Sequence, residues 1–258
     1  MLIHCITYSK VMGYGVRIME CKVIIVKKVR AWYVYFAVGV FMTVAMISGA
    51  TQPLLDTTLV ASAVSPIFQG NPNQPQVALA CNVFWGEEYL PNMLKTLDDN
   101  NVRITFFIGG SWANKYPEVL KDLANRGHEL GNHTYSHPHP NTLSKEKNKE
   151  QILKTEELVA SHTGIKTTLY APPYGEYNNT VLLAAQELSY TTIMWSIDTV
   201  DWKRPPPDVL QARVLKKIHN GAIILMHPTA PTAQALPGLI NEIKKRGYTI
   251  VPVTDILK

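Results

Sequence analysis

The sequence has few cysteines and little charge. Its 258 residues include only three cysteines, Cys5, Cys21 and Cys81. An odd number offers no disulfide framework, and their spacing is not that of a zinc site, so neither a disulfide nor a cysteine-bound metal is predicted. Charged residues make up 17% of the chain and apolar residues 46%, which is enough for a substantial core in one large domain or two small ones.

The positive charge is not spread evenly along the chain. The formal net charge is +5, and Lys22, Lys27, Lys28 and Arg30 lie close together near the N-terminus. Such a cluster is typical of a membrane-proximal segment rather than of a nucleic-acid groove. We therefore expect no nucleic-acid partner.

An uncharged apolar segment, Ala31–Ala50, follows the basic cluster. About 20 apolar residues are what a membrane-spanning helix needs, and flanking basic residues stay in the cytoplasm. The sequence thus predicts a basic cytoplasmic segment over 1–30, a single anchor in the cell membrane over 31–50 and the remaining chain outside. The alternative is a cleaved signal peptide, with a site at Ser48–Ala50 or Ala61–Ala63, and a secreted protein. The length of the segment favours the anchor.

Residues 51–76 contain several prolines, asparagines and glutamines without sustained periodicity, which indicates a linker before a folded domain over 77–258. In that domain short apolar runs alternate with amphipathic ones. Strands are predicted at Val77–Phe84, Arg103–Ile108, His128–Asn132, Thr168–Ala171, Thr191–Ile197, Ala222–His227 and Tyr248–Val253. The repeated strand–helix units predict an α/β fold, a distorted barrel of about seven parallel strands with its chemistry at the C-terminal strand ends.

Two histidines, His133 and His137, follow the third predicted strand within Gly131–Pro138. Their spacing can bring two neutral imidazoles to one metal ion, although Zn²⁺ usually takes a third protein ligand as well. Surface or packing histidines with the same spacing are the alternative.

Further candidate residues follow the later strands. His227 lies where the strand Ala222–His227 ends, and a histidine there suits general acid catalysis unless it only completes the core. Asp198 and Asp201 precede Trp202, either as a turn with an aromatic lid or as groups that orient a catalytic residue. The Pro-Pro-Tyr-Gly turn at Pro172–Gly175 is either structural or directs a backbone N–H into a site.

Together and in this order, these segments resemble the polysaccharide deacetylases of carbohydrate esterase family four, which have a NodB-type domain. The family's motifs are Asp-Asp, His-Ser/Thr-x-x-His, Arg-Pro-Pro-Tyr-Gly, Asp-x-x-Asp-Trp and Leu-x-His, and the resemblance covers Val77–Lys258. The Trp85-Gly86 pair resembles a branch of the family known from spore-forming bacteria.

The resemblance implies roles for the candidate residues. His133 and His137 correspond to ligands of a divalent metal, for which Zn²⁺ is the expected ion, and His227 corresponds to the general acid. Trp202 and Leu225 correspond to the pocket for the acetyl methyl group. Pro173 and Tyr174 correspond to the substrate-binding turn, in which the backbone N–H of Tyr174 holds the oxyanion; Asp198 corresponds to the acid that orients the base.

Three positions depart from the family pattern. Asn82 stands where the family has its catalytic base, and Val83 where it has a metal-binding aspartate. Ala171 replaces the arginine that pairs with the acid at Asp198. The nearby pair Glu87–Glu88 is expected to form the acidic first turn of the next helix, with a substitute carboxylate for the site as the alternative.

Two functions follow from this pattern. The first is a metal-dependent hydrolase that removes acetyl groups from amino-sugar polymers such as peptidoglycan, outside the membrane and with weakened catalysis. The second is an inactive, glycan-binding or structural member of the same family. Both imply a cell-wall glycan as the partner, and the membrane is expected to be contacted through the N-terminal segment.

Overall fold

The computed structural model describes residues 3–12, 16–25 and 64–258. The chain divides into two compact units, Met1–Val60 and Ala61–Lys258. In the first unit, strands β1 (Ile3–Met12) and β2 (Val16–Ile25) pair antiparallel, from Ile3 opposite Ile25 to Met12 opposite Val16. No strand is predicted in this region from the sequence.

The predicted localisation in the cell membrane requires a correction. Within 3–12, 16–25 and 64–258, no helix is long and apolar enough to cross a membrane. Residues 31–50, on which the predicted anchor depends, lie outside the described residues.

The second unit contains a parallel sheet flanked by helices. Its strands are β3 (Gln76–Val83), β4 (Thr105–Ile108), β5 (Glu129–Asn132), β6 (Leu169–Tyr170), β7 (Thr191–Thr192), β8 (Ile197–Asp198), β9 (Ala222–Met226) and β10 (Thr249–Ile250). Its helices are α1 (Leu90–Asp99), α2 (Gly110–Lys115), α3 (Pro117–Asn125), α4 (Lys145–Thr163), α5 (Asn179–Glu187), α6 (Pro207–Lys217), α7 (Ala230–Lys245) and α8 (Val253–Ile256).

The strands follow the order β7-β6-β5-β4-β3-β9-β8, and β10 pairs with the first residues of β3. Residues 67–70, from the end of the predicted linker, reach across the opening between the two sides of the sheet. Ile67 forms a bridge with Ile193, next to β7, and Gln69 forms one with Ala222 of β9. The sheet therefore curls into the distorted (β/α) barrel that the alternating pattern predicts.

The central strand β3 shows how the sequence positions the site. Alternate side chains of a strand point to opposite faces. Val77, Leu79, Cys81 and Val83 pack in the larger apolar cluster, which includes the buried faces of α1, α3 and α7. Ala78 and Ala80 belong to a second cluster on the other side. Asn82 continues this second series, so it lies on the interior side of the barrel at the end of the strand.

Helix boundaries agree with local capping chemistry. Ser144 caps α4 by accepting a hydrogen bond from the backbone N–H of Lys147, and Gly164 ends that helix with a φ of 73°. Asn178 caps α5 by accepting from Val181. Parts of the secondary structure differ from expectation: Thr191–Ile197 contains β7 and the start of β8, and Tyr248–Val253 contains only the two residues of β10 before α8 begins.

Candidate active site

A cleft of about 430 Å³ opens at the C-terminal ends of the strands. Asn82 is the last residue but one of β3, His133 follows β5, Asp198 ends β8 and His227 follows β9. Because parallel strands end at the same edge of the sheet, residues distant in sequence meet here. The cleft is lined by Asn82, Phe84, Trp85, His133, His137, Tyr174, Gly175, Trp195, Asp198, Trp202, Leu225 and His227.

His133 is buried and has a fixed orientation. Its Nδ1 lies 2.7 Å from the carbonyl oxygen of Ala171, so this nitrogen carries the proton and Nε2 keeps its lone pair. Burial, and then the neighbouring His137, lower the pKa of His133 to about 3. The ring is therefore neutral, as a metal-binding imidazole must be.

His137 lies beside it in a strained backbone conformation. Its φ is 55°, in the left-handed region that residues other than glycine rarely adopt. The ring centroids of His133 and His137 are 4.9 Å apart, and the ring of Phe84 is also 4.9 Å from His137. Burial lowers the pKa of His137 to about 4.

The two imidazoles do not make a complete zinc site. A protein zinc site normally has at least three protein ligands. In the described part of the chain, no group of three or more His, Cys, Asp or Glu side chains is placed to hold a metal ion. The expected metal-ligating pair is therefore present in the cleft without a third partner, and the residues fit a catalytic metal only in part.

His227 is held by a buried carboxylate that the resemblance did not single out. Its Nδ1 lies 2.8 Å from Oδ1 of Asp201, and its backbone N–H donates to Oδ2 at 2.6 Å. The hydroxyl of Thr232 also donates to Oδ2, at 2.6 Å. Because Nδ1 is occupied by Asp201, Nε2 is the nitrogen left to exchange a proton with a ligand.

An aromatic wall stands beside His227. The rings of Trp85 and His227 stack with an interplanar angle of 12° and a centroid distance of 5.7 Å. This packing depends on Gly86, whose φ is 84°. The Cβ of any other residue at this position would lie only 2.0 Å from the carbonyl oxygen of Pro228. Any larger residue would push the turn after β3 away from the His227–Pro228 segment.

The two neighbouring positions at the end of β3 differ in their surroundings. Asn82 lines the cleft, and its buried Oδ1 has no hydrogen-bond partner among the described residues. Val83 is 0% exposed and packs in the larger apolar cluster. Neither side chain can act as a base or bind a metal through a carboxylate.

Asp198 and Tyr174 both line the cleft. The Oδ1 of Asp198 accepts a hydrogen bond from the backbone N–H of Val200 at 2.7 Å. Tyr174 has a φ of 60°, and its ring stacks on His139 at 4.1 Å between centroids. Pro173, the residue before it, is buried and does not line the cleft.

The two glutamates lie outside the cleft, in the 3₁₀ turn Glu87–Tyr89 before α1. Glu87 accepts a hydrogen bond from the hydroxyl of Tyr116, which lowers the pKa of this carboxyl. Glu87 and Glu88 thus form the acidic first turn that the sequence predicts, rather than a substitute base.

The sequence predicts most of the residues that line the cleft. Asn82, His133, His137, Tyr174, Asp198, Trp202, Leu225 and His227 all lie there. Phe84, Trp195 and the role of Asp201 are not predicted from the family pattern. The paired acids before Trp202 are the one signal for Asp201, since an orienting group is among the interpretations of that segment.

Comparisons with known proteins show which family the chain resembles. A family model described as polysaccharide deacetylase matches residues 69–193. The chain is 46% identical over 192 residues to the protein YlxY of Bacillus subtilis. This match covers 74% of this chain and 60% of that protein. It is 35% identical over 196 residues to a peptidoglycan-N-acetylglucosamine deacetylase of Bacillus cereus, covering 74% of this chain and 71% of the relative.

Similar solved structures include a pseudoenzyme of carbohydrate esterase family four from Bacillus anthracis. It has 42% sequence identity and a TM-score of 0.74, and the match covers 76% of this chain and 69% of that chain. A mutant of that pseudoenzyme with restored enzymatic activity matches at 40% identity and the same TM-score, over 76% of this chain and 72% of that one.

Proposed function

The chain belongs to the polysaccharide deacetylase family, whose active members are hydrolases that act on carbon–nitrogen bonds, and we propose that its cleft binds acetylated amino-sugar polymers of the peptidoglycan type and deacetylates them only weakly. The observation that carries this proposal is the contrast at the end of β3. The cleft retains His133, His137, Trp202 and His227, whereas Asn82 stands where a base is needed.

The retained residues account for binding and for one proton transfer. Trp202 is 51% exposed beside the buried Leu225, which suits a sugar ring above and an acetyl methyl group below. With Nδ1 held by Asp201, Nε2 of a protonated His227 can donate to the departing amine. The backbone N–H of Tyr174 is our candidate for stabilising the oxyanion.

The missing residues account for weak turnover. An amide cannot accept the proton of an attacking water, and loss of a positioned base typically costs about 10²–10⁴ in rate. His133 and His137 are our candidates for the ligands of a divalent metal, which in this family polarises the acetyl carbonyl. With only two imidazoles, we expect such binding to be weak.

A second candidate function is glycan binding without catalysis. It is favoured by the similarity to the Bacillus anthracis pseudoenzyme and by the position of Val83 inside the core, where the family pattern has a metal-binding aspartate. Both candidates require a glycan in the cleft, and they differ in whether acetate is released.

Two measurements on the purified chain test the proposal. Calorimetric titration with an oligomer of β-1,4-linked N-acetylglucosamine should detect binding, which Trp202→Ala should weaken about tenfold or more through loss of ring stacking. Leu153→Ala, which removes another exposed apolar side chain from the outer face of α4, should leave affinity unchanged. Slow acetate release above background would support the weak hydrolase. Binding without acetate release would support the inactive alternative. The absence of binding would refute both.

A further inference from the structure

Two cations lie over the aromatic residues on the His227 side of the cleft. The guanidinium carbon of Arg204 is 5.2 Å from the ring centroid of Trp85 and 5.9 Å from that of Tyr89. The Nζ of Lys203 is 4.9 Å from the ring centroid of Trp202. Since Trp85 and Trp202 both line the cleft, these cations stand at its rim.

The two cations have no carboxylate partner in the part of the chain that the structure describes. Other arginines of the same unit do: Arg103 and Arg126 both pair with Asp98. Two nearby acids are already engaged, because Asp201 is buried against His227 and Asp198 accepts from a backbone N–H. The third, Asp208 in the first turn of α6, forms no ion pair with Arg204. The positive charge of this rim is thus available to a ligand.

The backbone fixes where these cations stand. The 3₁₀ turn Asp201–Lys203 lies between two residues in the left-handed conformation, Val200 with a φ of 54° and Arg204 with a φ of 56°. Residues other than glycine rarely adopt this conformation, and strain of this kind concentrates at functional sites. The same turn carries Asp201, which orients His227. The position of Arg204 is therefore fixed relative to the candidate general acid.

The geometry points to Arg204, assisted by Lys203, as the group that recognises a carboxylate on the glycan next to the acetamido group held in the cleft. This inference rests on the proposed function and narrows its substrate class from amino-sugar polymers in general to anionic ones. Arginine suits the role because its planar guanidinium binds a carboxylate through two hydrogen bonds while its face packs on an indole. Lys203 adds charge without the same geometry.

The test uses three oligomers of equal length with the full chain. One is neutral and built of N-acetylglucosamine; the second carries a carboxylate on alternate residues; the third is the second with its carboxylates converted to amides. We expect the carboxylated oligomer to bind about five- to tenfold more tightly than its amidated form at low salt. This preference should shrink as the salt concentration rises.

Two charge-matched variants locate the effect. Arg204→Gln should reduce the preference to less than about twofold while leaving affinity for the neutral oligomer within about twofold. Lys217→Gln removes the same charge from an exposed residue at the end of α6, next to the start of β9 rather than its C-terminal end, and should leave the preference intact. If the glutamine variant is unstable, Arg204→Gly repeats the test in a residue that adopts this backbone conformation freely.

The outcomes separate the two proposals. Equal affinity of the wild-type chain for the carboxylated and amidated oligomers would overturn the role of Arg204 and leave the proposed function standing. The role of Arg204 would also be overturned if Arg204→Gln lowered the affinity for all three oligomers equally, because the side chain would then act only by packing on Trp85. Failure of all three oligomers to bind would overturn the proposed function, and this inference with it.

Discussion

The carboxylate of Asp201 holds His227 at two points. It lies 2.8 Å from Nδ1 of the ring and 2.6 Å from the backbone nitrogen of the same residue. Thr232 gives the carboxylate a third hydrogen bond. Asp201 is fully buried, and in the part of the chain that the structure describes its carboxylate oxygens are satisfied by these groups.

Removing this carboxylate should destabilise the fold. We expect Asp201→Ala to lower the free energy of unfolding by about 2–4 kcal/mol, because three donors lose their acceptor in a buried place. Urea unfolding followed by circular dichroism measures the change. Asp99→Ala is the control: it removes an aspartate whose ion pair with Lys95 is exposed, and should cost no more than about 1 kcal/mol. Equal costs would show that Asp201 does not hold the cleft together.

Gly86 and Gly164 provide a matched pair for testing the turn behind Trp85. Both have positive φ, 84° and 73°, but a Cβ on Gly86 would meet the Pro228 carbonyl oxygen at 2.0 Å, whereas one on Gly164 meets nothing within 4 Å. We expect Gly164→Ala to cost about 1–2 kcal/mol through backbone strain alone. Gly86→Ala should cost about 1–3 kcal/mol more because of the clash. Similar unfolding midpoints for the two variants would contradict the close contact.

The stability of the domain should depend on His128 below neutral pH. This buried ring accepts a hydrogen bond from the backbone N–H of Ile104 through Nδ1, at 3.3 Å, and so must be neutral at that atom. Burial, and then Arg103, lower its pKa from 6.5 to about 4. Between these two values the unfolded chain binds a proton that the folded chain does not, so stability falls as the pH falls through this window.

The size of this effect can be measured with one substitution. From pH 7.5 to pH 5, His128 should account for about 2 kcal/mol of lost stability. In His128→Asn, the Oδ1 of the new side chain can still accept from Ile104. Between pH 7.5 and pH 5, the free energy of unfolding of this variant should therefore fall by about 2 kcal/mol less than that of the wild type. An unchanged pH dependence would mean that His128 is protonated in the fold.

Zinc binding should be weak and should depend on both cleft histidines. Two imidazoles without a third protein ligand are expected to lose the metal on dialysis. We therefore predict substoichiometric zinc in the dialysed chain, and still less in the double variant His133→Ala His137→Ala. Stoichiometric zinc that survives in the double variant would place the metal elsewhere.

The strand–helix alternation was sufficient to predict the barrel, because buried strands and amphipathic helices leave different periodicities. It did not predict that the Thr191–Ile197 segment contains β7 and the start of β8, since both are two residues long and their pairing depends on strands distant in sequence. Likewise, Asp201 and Asp198 have the same chemistry in the sequence. Only the fold shows that Asp201 contacts His227.

Position within a strand also changes what a substitution can do. The family pattern suggests restoring an aspartate at Val83 as well as at Asn82. Val83, however, is fully buried in the apolar cluster on the helix side. An uncompensated carboxylate there is expected to destabilise the fold by several kcal/mol, unless the end of β3 rearranges.

The most direct test of the account is acetate release from an acetylated amino-sugar oligomer by the wild-type chain, Asn82→Asp and the control Asn82→Ala, each with added zinc. We predict slow release, only a little above background, for the wild type and the alanine variant. For Asn82→Asp we predict an increase of about 10²-fold, the lower end of what a positioned base contributes, since the third metal ligand is still missing. Efficient wild-type turnover that Asn82→Asp leaves unchanged would contradict the claim that Asn82 limits catalysis in this cleft.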